Sequence, residues 1–181
     1  SAAPSDDEAR GAMTLPLEVT DLGTTLFTRR GEMKAVDGLS LSVDAGETVA
    51  LLGPSGTGKS VLLKTIIGLI KPDHGMIVVD GKEVGRLKRK ELSELRSQIG
   101  YVFQNGALFD SMTVFENVRL GITDQDKYQN LDYVRGRIAE CIRLVNLPAD
   151  TIDKFPAQLS GGMRQRVGIA RAIAGSPKYL L

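Results

Sequence analysis

Apolar and polar residues alternate from Leu39 to Val43, the period of a half-buried strand. Leu17–Leu22 and Thr24–Thr28 read as two short strands ahead of it. A turn at Asp44–Glu47 leads into Thr48–Leu52, an apolar run of strand size that predicts a core strand ending on a glycine-rich loop. Past that loop the period changes. Val61, Leu62, Leu63, Ile66, Ile67 and Ile70 recur at helical spacing, and Pro72 and Gly75 stop the helix. Met76–Val79 predicts a further strand, closed by the hairpin dipeptide Asp80-Gly81. Arg86–Arg96 is dense in charge, but Glu91 and Glu94 interleave its basic residues, so it predicts a solvated helix rather than a nucleic-acid face. Ile99–Phe103 predicts a buried strand. Helical patterns follow at Val114–Leu120, at Leu131–Val145 and from just after the Leu159–Gly162 run to Ala174, and Tyr179–Leu181 opens another strand. Strand–loop–helix units around a sheet, with a helical block set among them, define an α/β class.

Composition narrows this only a little. With 42% hydrophobic and 25% charged residues, the 181-residue chain has enough apolar material for an ordinary globular core. A net charge of +1 gives no footprint for nucleic acid. The single cysteine, Cys141, has no internal disulfide partner and is expected to pack inside its helix. No stretch is apolar enough for long enough to span a bilayer, so work at a membrane would require docking on another subunit. Residues 1–16 carry Asp6, Asp7 and Glu8 and lack an apolar core. They are expected to be a flexible tail ahead of one domain over residues 17–181.

The chemistry concentrates in Gly53-Pro54-Ser55-Gly56-Thr57-Gly58-Lys59-Ser60, a phosphate-binding loop by pattern and by its place between an apolar strand and a helix. Glycines let the backbone turn its N–H groups inward around phosphate oxygens. The following helix adds free donors and a positive dipole end. Lys59 brings a full charge to the β- and γ-phosphates, and the Ser60 hydroxyl suits Mg²⁺. The phosphates of a nucleotide and Mg²⁺ are therefore the expected ligands. Such a loop alone does not separate kinases, GTPases and ATPases.

Downstream, Leu159-Ser160-Gly161-Gly162 is followed by Met163, Arg164, Gln165 and Arg166. Ser160 is a good helix cap, and Gly161 and Gly162 leave N–H groups open at a helix start. With both motifs in one chain, the sequence resembles the ABC ATPase family. The resemblance runs from Leu17 to the last residue and disfavours a kinase or GTPase. It implies a P-loop NTPase core with an antiparallel β subdomain and an inserted α-helical subdomain at about residues 105–160. It also implies a head-to-tail dimer with a second ATPase subunit, in which Leu159–Met163 of one chain cap the γ-phosphate on the other. Met163 stands where the family usually has glutamine. Gln104, ending the Gly100–Phe103 strand, matches the family's glutamine that contacts Mg²⁺ and the attacking water. Phe27 is the nearest match to the aromatic residue on which the family stacks adenine, with Val36 beside it. The other reading of Phe27, a core residue, stays open. His74 lies in a turn far from the family's catalytic histidine and receives no catalytic role.

The run Asn105–Val118, with its Gly106-Ala107-Leu108-Phe109 and Val114-Phe115-Glu116-Asn117-Val118, resembles Mla/Mce-type lipid transport ATPases. That resemblance implies a peripheral subunit at the cytoplasmic face of the inner membrane. It would dock on a transmembrane permease through apolar Leu108, Phe109 and Phe115 and energise phospholipid transport. A non-transport ABC ATPase and a non-catalytic nucleotide-binding fragment are the alternatives. In the family, the strand opened at Tyr179–Leu181 goes on to the Asp and Glu that support Mg²⁺ and polarise the water. These lie outside the present chain, so the resemblance is to an incomplete ABC ATPase domain. The 181-residue polypeptide is expected to hydrolyse ATP poorly, and the full-length protein to be an ATPase.

Overall fold

The computed structural model describes residues 16–28 and 31–181, so the expected tail lies outside the described residues except for Pro16, whose carbonyl accepts the Asp80 N–H at 3.0 Å. The chain divides into two compact units, residues 1–92 and 93–181.

The first unit is built on an antiparallel sheet in the order β2-β1-β3-β4, with β1 at Leu17–Thr28, β2 at Gly31–Val43, β3 at His74–Val79 and β4 at Lys82–Glu83. The two short strands expected at Leu17–Leu22 and Thr24–Thr28 are one strand with a bulge. Asp21 takes a φ of 45° and the register slips between Val19 and Leu22. The slip places Leu22 and Thr24 on the same buried face as Leu17 and Val19, which strict alternation would have put on opposite faces. Asp80 and Gly81 both take positive φ, the conformation a two-residue hairpin between β3 and β4 requires.

Helix α1 spans Lys59–Ile66, shorter than the apolar pattern. Gly68 turns left-handed (φ 66°), its N–H bonds Thr65 O, and Leu69 N–H bonds Lys64 O. This closing motif stops the helix before Ile70. Thr48–Leu52 departs further from expectation. Among the described residues no strand pairs with it, and Leu52 is 91% exposed. An apolar sequence supplies one side of a ladder, and a neighbour must supply the other.

Helix α2, Arg89–Ser97, buries only Leu95, as a solvated helix should. In the second unit β5 (Ile99–Gly100) pairs in parallel with β6 (Tyr179–Leu180), and Val102 N–H to Leu181 O extends the pairing. The expected strand Ile99–Phe103 is thus regular only at its start, and Phe103 is exposed. The helices are α3 (Val114–Arg119), α4 (Gln125–Gln129), α5 (Leu131–Leu144) and α6 (Gly161–Ala174). Val114 and Val118 of α3, Ile138 and Ile142 of α5, and Val167 and Ala170 of α6 meet in one core. Cys141 is fully buried there. The helical core therefore continues past residue 160 into α6. Arginines finish the two long helices. Arg137 of α5 donates to Ala174 O and Ile173 O at the end of α6, and Arg166 of α6 donates to Asn146 O just beyond α5.

Candidate functional site

The phosphate loop belongs to the first unit. Gly56 and Gly58 have φ of 86° and 85°, in the left-handed region that favours glycine. Gly58 is also the N-cap of α1, and any Cβ there would run into the Ala35 carbonyl of β2. The loop is thereby held close against the sheet at its helical end, while Gly53–Thr57 are exposed. Lys59 is drawn back over the loop. Its Nζ donates to Gly53 O and Pro54 O, each at 2.7 Å, and to Thr57 Oγ1 at 3.2 Å. Thr57 Oγ1 in turn donates to Pro54 O at 2.9 Å. The result is a closed ring of backbone and side chain with the cation at its centre, placed where a helix N-terminus already favours an anion.

Ser60, the second residue of α1, is exposed with its hydroxyl at that same N-terminus. Among the described residues no group of three or more His, Cys, Asp or Glu stands together to hold a metal. The donor that fits Mg²⁺ in this unit is a hard hydroxyl oxygen beside a phosphate cradle.

Phe27 is 80% exposed, which removes its reading as a core residue. The cause is the sheet. Pairing of β1 with β3 reaches only Gly23↔His74, so beyond it β1 has β2 alone as neighbour and the ring lies open. Val36, paired with Thr24 on β2, is buried, and its side chain reaches the α1 N-cap at Gly58. His74 packs on Gly23, where a Cβ would meet its ring, and shares a 2.8 Å hydrogen bond through Nδ1 with Asp21 O. It anchors the β1 bulge.

Gln104 and the Leu159–Met163 run belong to the second unit. Ser160 caps α6, its Oγ accepting the Met163 N–H at 3.2 Å. Gly161 and Gly162 are exposed at the helix start, and Leu159 is buried beneath them. Gln104 opens a 3-10 turn, Gln104–Gly106, and its side chain is exposed.

Sequence reasoning missed three groups that shape these turns. Arg164 Nη1 donates to Leu159 O at 2.8 Å, bracing the turn before α6. Arg171 reaches the Gly106 and Ala107 carbonyls. Burial lowers its pKa from the ordinary arginine value, but that value is so high that the group keeps its charge. Asn117, fully buried, donates from Nδ2 to Phe109 O, Met112 O and Thr113 O and accepts the Phe109 N–H through Oδ1, pinning the loop that carries exposed Phe109. The only sequence signal for the α6 pair was the spacing of Arg164 and Arg171 around Gly168 on one predicted helix.

A family model for ABC transporters matches residues 36–181. The chain is similar to a probable ribonucleotide transport ATP-binding protein, mkl, of Mycobacterium leprae, at 40% identity over 96% of this chain and 48% of that protein. It is 47% identical to the methionine import ATP-binding protein MetN of Carboxydothermus hydrogenoformans, over 86% of this chain and 45% of that one. Among solved structures it resembles the ATP-binding cassette MJ0796, dimeric and bound to ADP and Pi in a post-hydrolysis state. That likeness has a TM-score of 0.82 at 32% identity and covers 91% of this chain and 72% of the cassette. The chain thus spans about half the length of the curated relatives it matches.

Proposed function

Because the chain belongs to the ABC transporter family, as the match over residues 36–181 shows, we propose that it is the ATP-binding and ATP-hydrolysing part of a subunit that energises a membrane transporter. The observation that carries this is the Gly53–Ser60 loop, with Lys59 already seated over it at an open helix N-terminus. On binding, the Lys59 ammonium exchanges its carbonyl partners for β- and γ-phosphate oxygens, and the loop N–H groups cradle the rest. Phe27 offers its open ring face to adenine. Ser60 would hold Mg²⁺, which when bound neutralises charge on the phosphates, and Gln104 keeps the role that the resemblance gives the family's glutamine. Gly161 and Gly162, uncovered at the start of α6, face a nucleotide on a second copy, in a head-to-tail pair that closes on ATP and reopens after hydrolysis.

The transported substrate is phospholipid in this reading. Its support is the resemblance of Asn105–Val118 to lipid transport ATPases. The names of the relatives point to other cargoes, ribonucleotide and methionine. A shared engine with varied cargo fits a division of labour in which the membrane partner selects the cargo. Exposed Phe109, held in place by Asn117, would receive that partner at the cytoplasmic face of the inner membrane. Among the described residues no helix is long and apolar enough to cross a membrane.

The test is nucleotide binding and then transport. Lys59→Ala removes a charge-assisted hydrogen bond worth about 1.5–3 kcal/mol, so ATP affinity should fall roughly ten- to a hundredfold in a calorimetric titration. Unchanged affinity would remove the loop from the nucleotide site. With the full-length subunit and its membrane partner in phospholipid vesicles, ATP-dependent movement of labelled phospholipid is expected. ATP turnover stimulated by another solute and not by phospholipid would leave the ATPase reading intact and overturn the lipid assignment.

A further inference from the structure

Gln104 is followed by Asn105, Gly106 and Ala107, whose φ values of 59°, 78° and 42° are all left-handed. Two of these residues carry side chains, and such a run persists only where its surroundings dictate it. The surroundings here are α6. Arg171 donates from Nη2 to Gly106 O at 2.7 Å and from Nη1 to Ala107 O at 2.9 Å. Its guanidinium carbon also stands 5.9 Å from the centroid of the Phe103 ring. One turn earlier, Gly168 approaches so closely that a Cβ would lie 2.7 Å from Gly106 Cα. A turn before that, a Cβ on Gly106 would lie 2.5 Å from Arg164 O. Arg164, Gly168 and Arg171 are spaced i, i+4 and i+7, so they form one face of one helix. That helix starts at the Ser160 cap, and Arg164 ties it back to Leu159 O. An α-helix neither stretches nor bends easily over so short a length, so what is fastened at Arg171 is fastened to Ser160 as well.

We propose that Arg171 is a positioning residue, whose grip on the Gly106 and Ala107 carbonyls locks the loop presenting Gln104 to the helix presenting Ser160–Gly162, so that both move as one body during hydrolysis. Arginine suits the task because its planar fork spans two neighbouring acceptors, which an ammonium group does not reproduce. The proposal rests on the reading of the protein as an ATP-hydrolysing subunit. Arg171 belongs to the second unit and the phosphate loop to the first, so its loss should leave the nucleotide cradle alone.

The experiment compares Arg171→Ala and Arg171→Lys with the wild type in the full-length subunit. It measures ATP dissociation constant, KM, kcat and amide hydrogen exchange at residues 103–108. Expected are dissociation constant and KM within twofold of wild type, kcat lowered at least tenfold in Arg171→Ala, and partial recovery in Arg171→Lys. Exchange at residues 105–107 should accelerate in both variants while exchange at 53–60 stays unchanged. A kcat within twofold of wild type in a folded Arg171→Ala protein overturns the proposal. If that variant does not fold, Arg171→Lys decides by the same twofold limit. A wild-type protein that binds ATP and never turns it over overturns the reading beneath. In that case faster exchange at 105–107 in Arg171→Lys still sustains the lock, and unchanged exchange removes it.

Discussion

Lys59 shows how one side chain prepares a site. Its three ammonium protons are taken by two loop carbonyls and a hydroxyl, so the cation waits in place and the loop keeps its shape around it. Phe27 is the opposite case, a large apolar ring with little to touch. Stacking on adenine is worth about 0.5–1.5 kcal/mol, so Phe27→Ala should weaken ATP binding roughly two- to tenfold. Its thermal midpoint should hardly move, because exposed substitutions stay within about 0.5 kcal/mol. Phe27→Tyr should restore the affinity, and a titration with a fluorescent ATP analogue reads all three proteins. An Ala variant that binds as well as wild type would place adenine elsewhere. The conformation of the Gly53–Ser60 loop could be read from sequence because its left-handed glycines and its helix start depend on residue type at fixed spacing. The openness of Phe27 could not, because it follows from where β3 stops pairing with β1.

Helix α6 joins the Leu159–Gly162 turn to the Gln104 loop, and its closeness to that loop depends on a residue with no side chain. In an exposed helix interior, Gly→Ala gains about 1 kcal/mol from propensity. At Gly168 the sign should reverse, since the added methyl meets the Gly106 backbone, which has no rotamer with which to move aside. Gly168→Ala is expected to destabilise the protein by about 1–3 kcal/mol, measured as a lower urea midpoint. A rise in the midpoint would show that the two backbones part easily. The sequence announced the existence and extent of α6 through its cap at Ser160 and its apolar spacing. It announced the hairpin at Asp80-Gly81 equally well. It expected a strand at Thr48–Leu52 and a longer one at Ile99–Phe103 than the structure forms, because a strand's existence is settled by a neighbour that local pattern does not contain.

At the scale of the molecule, the chain divides into two units, with the Gly53–Ser60 loop in one and the Gln104 and Ser160 turns in the other. Cys141 offers a probe of the second unit. It lies in the centre of the helical core, and burial raises its thiol pKa, with nearby Arg137 pulling it down and Glu140 pushing it up. The raised value means that the neutral thiol persists to higher pH than in the unfolded chain, so ionisation at alkaline pH works against folding. Alkylation by iodoacetamide at mildly alkaline pH should be on the order of a thousandfold slower than in urea, because reagent and base gain access only through opening of the core. Mass spectrometry after timed quenching reports the rate. Labelling of the native protein at the unfolded rate would mean that α5 does not stay packed.

The sequence by itself determined what depends on neighbours along the chain: the phosphate loop, the helix caps, the Asp80-Gly81 turn and the α/β class. Each of these is a local arrangement of donors, glycines or apolar spacing, and its physics is complete within a few residues. Only the tertiary structure decided that Asp21 bulges to keep Leu22 and Thr24 on the buried face, that Thr48–Leu52 stands unpaired among the described residues, and that Arg171 and Gly168 hold the Gln104 loop. These are contacts between residues distant in sequence, and their energy depends on distances that no local pattern fixes.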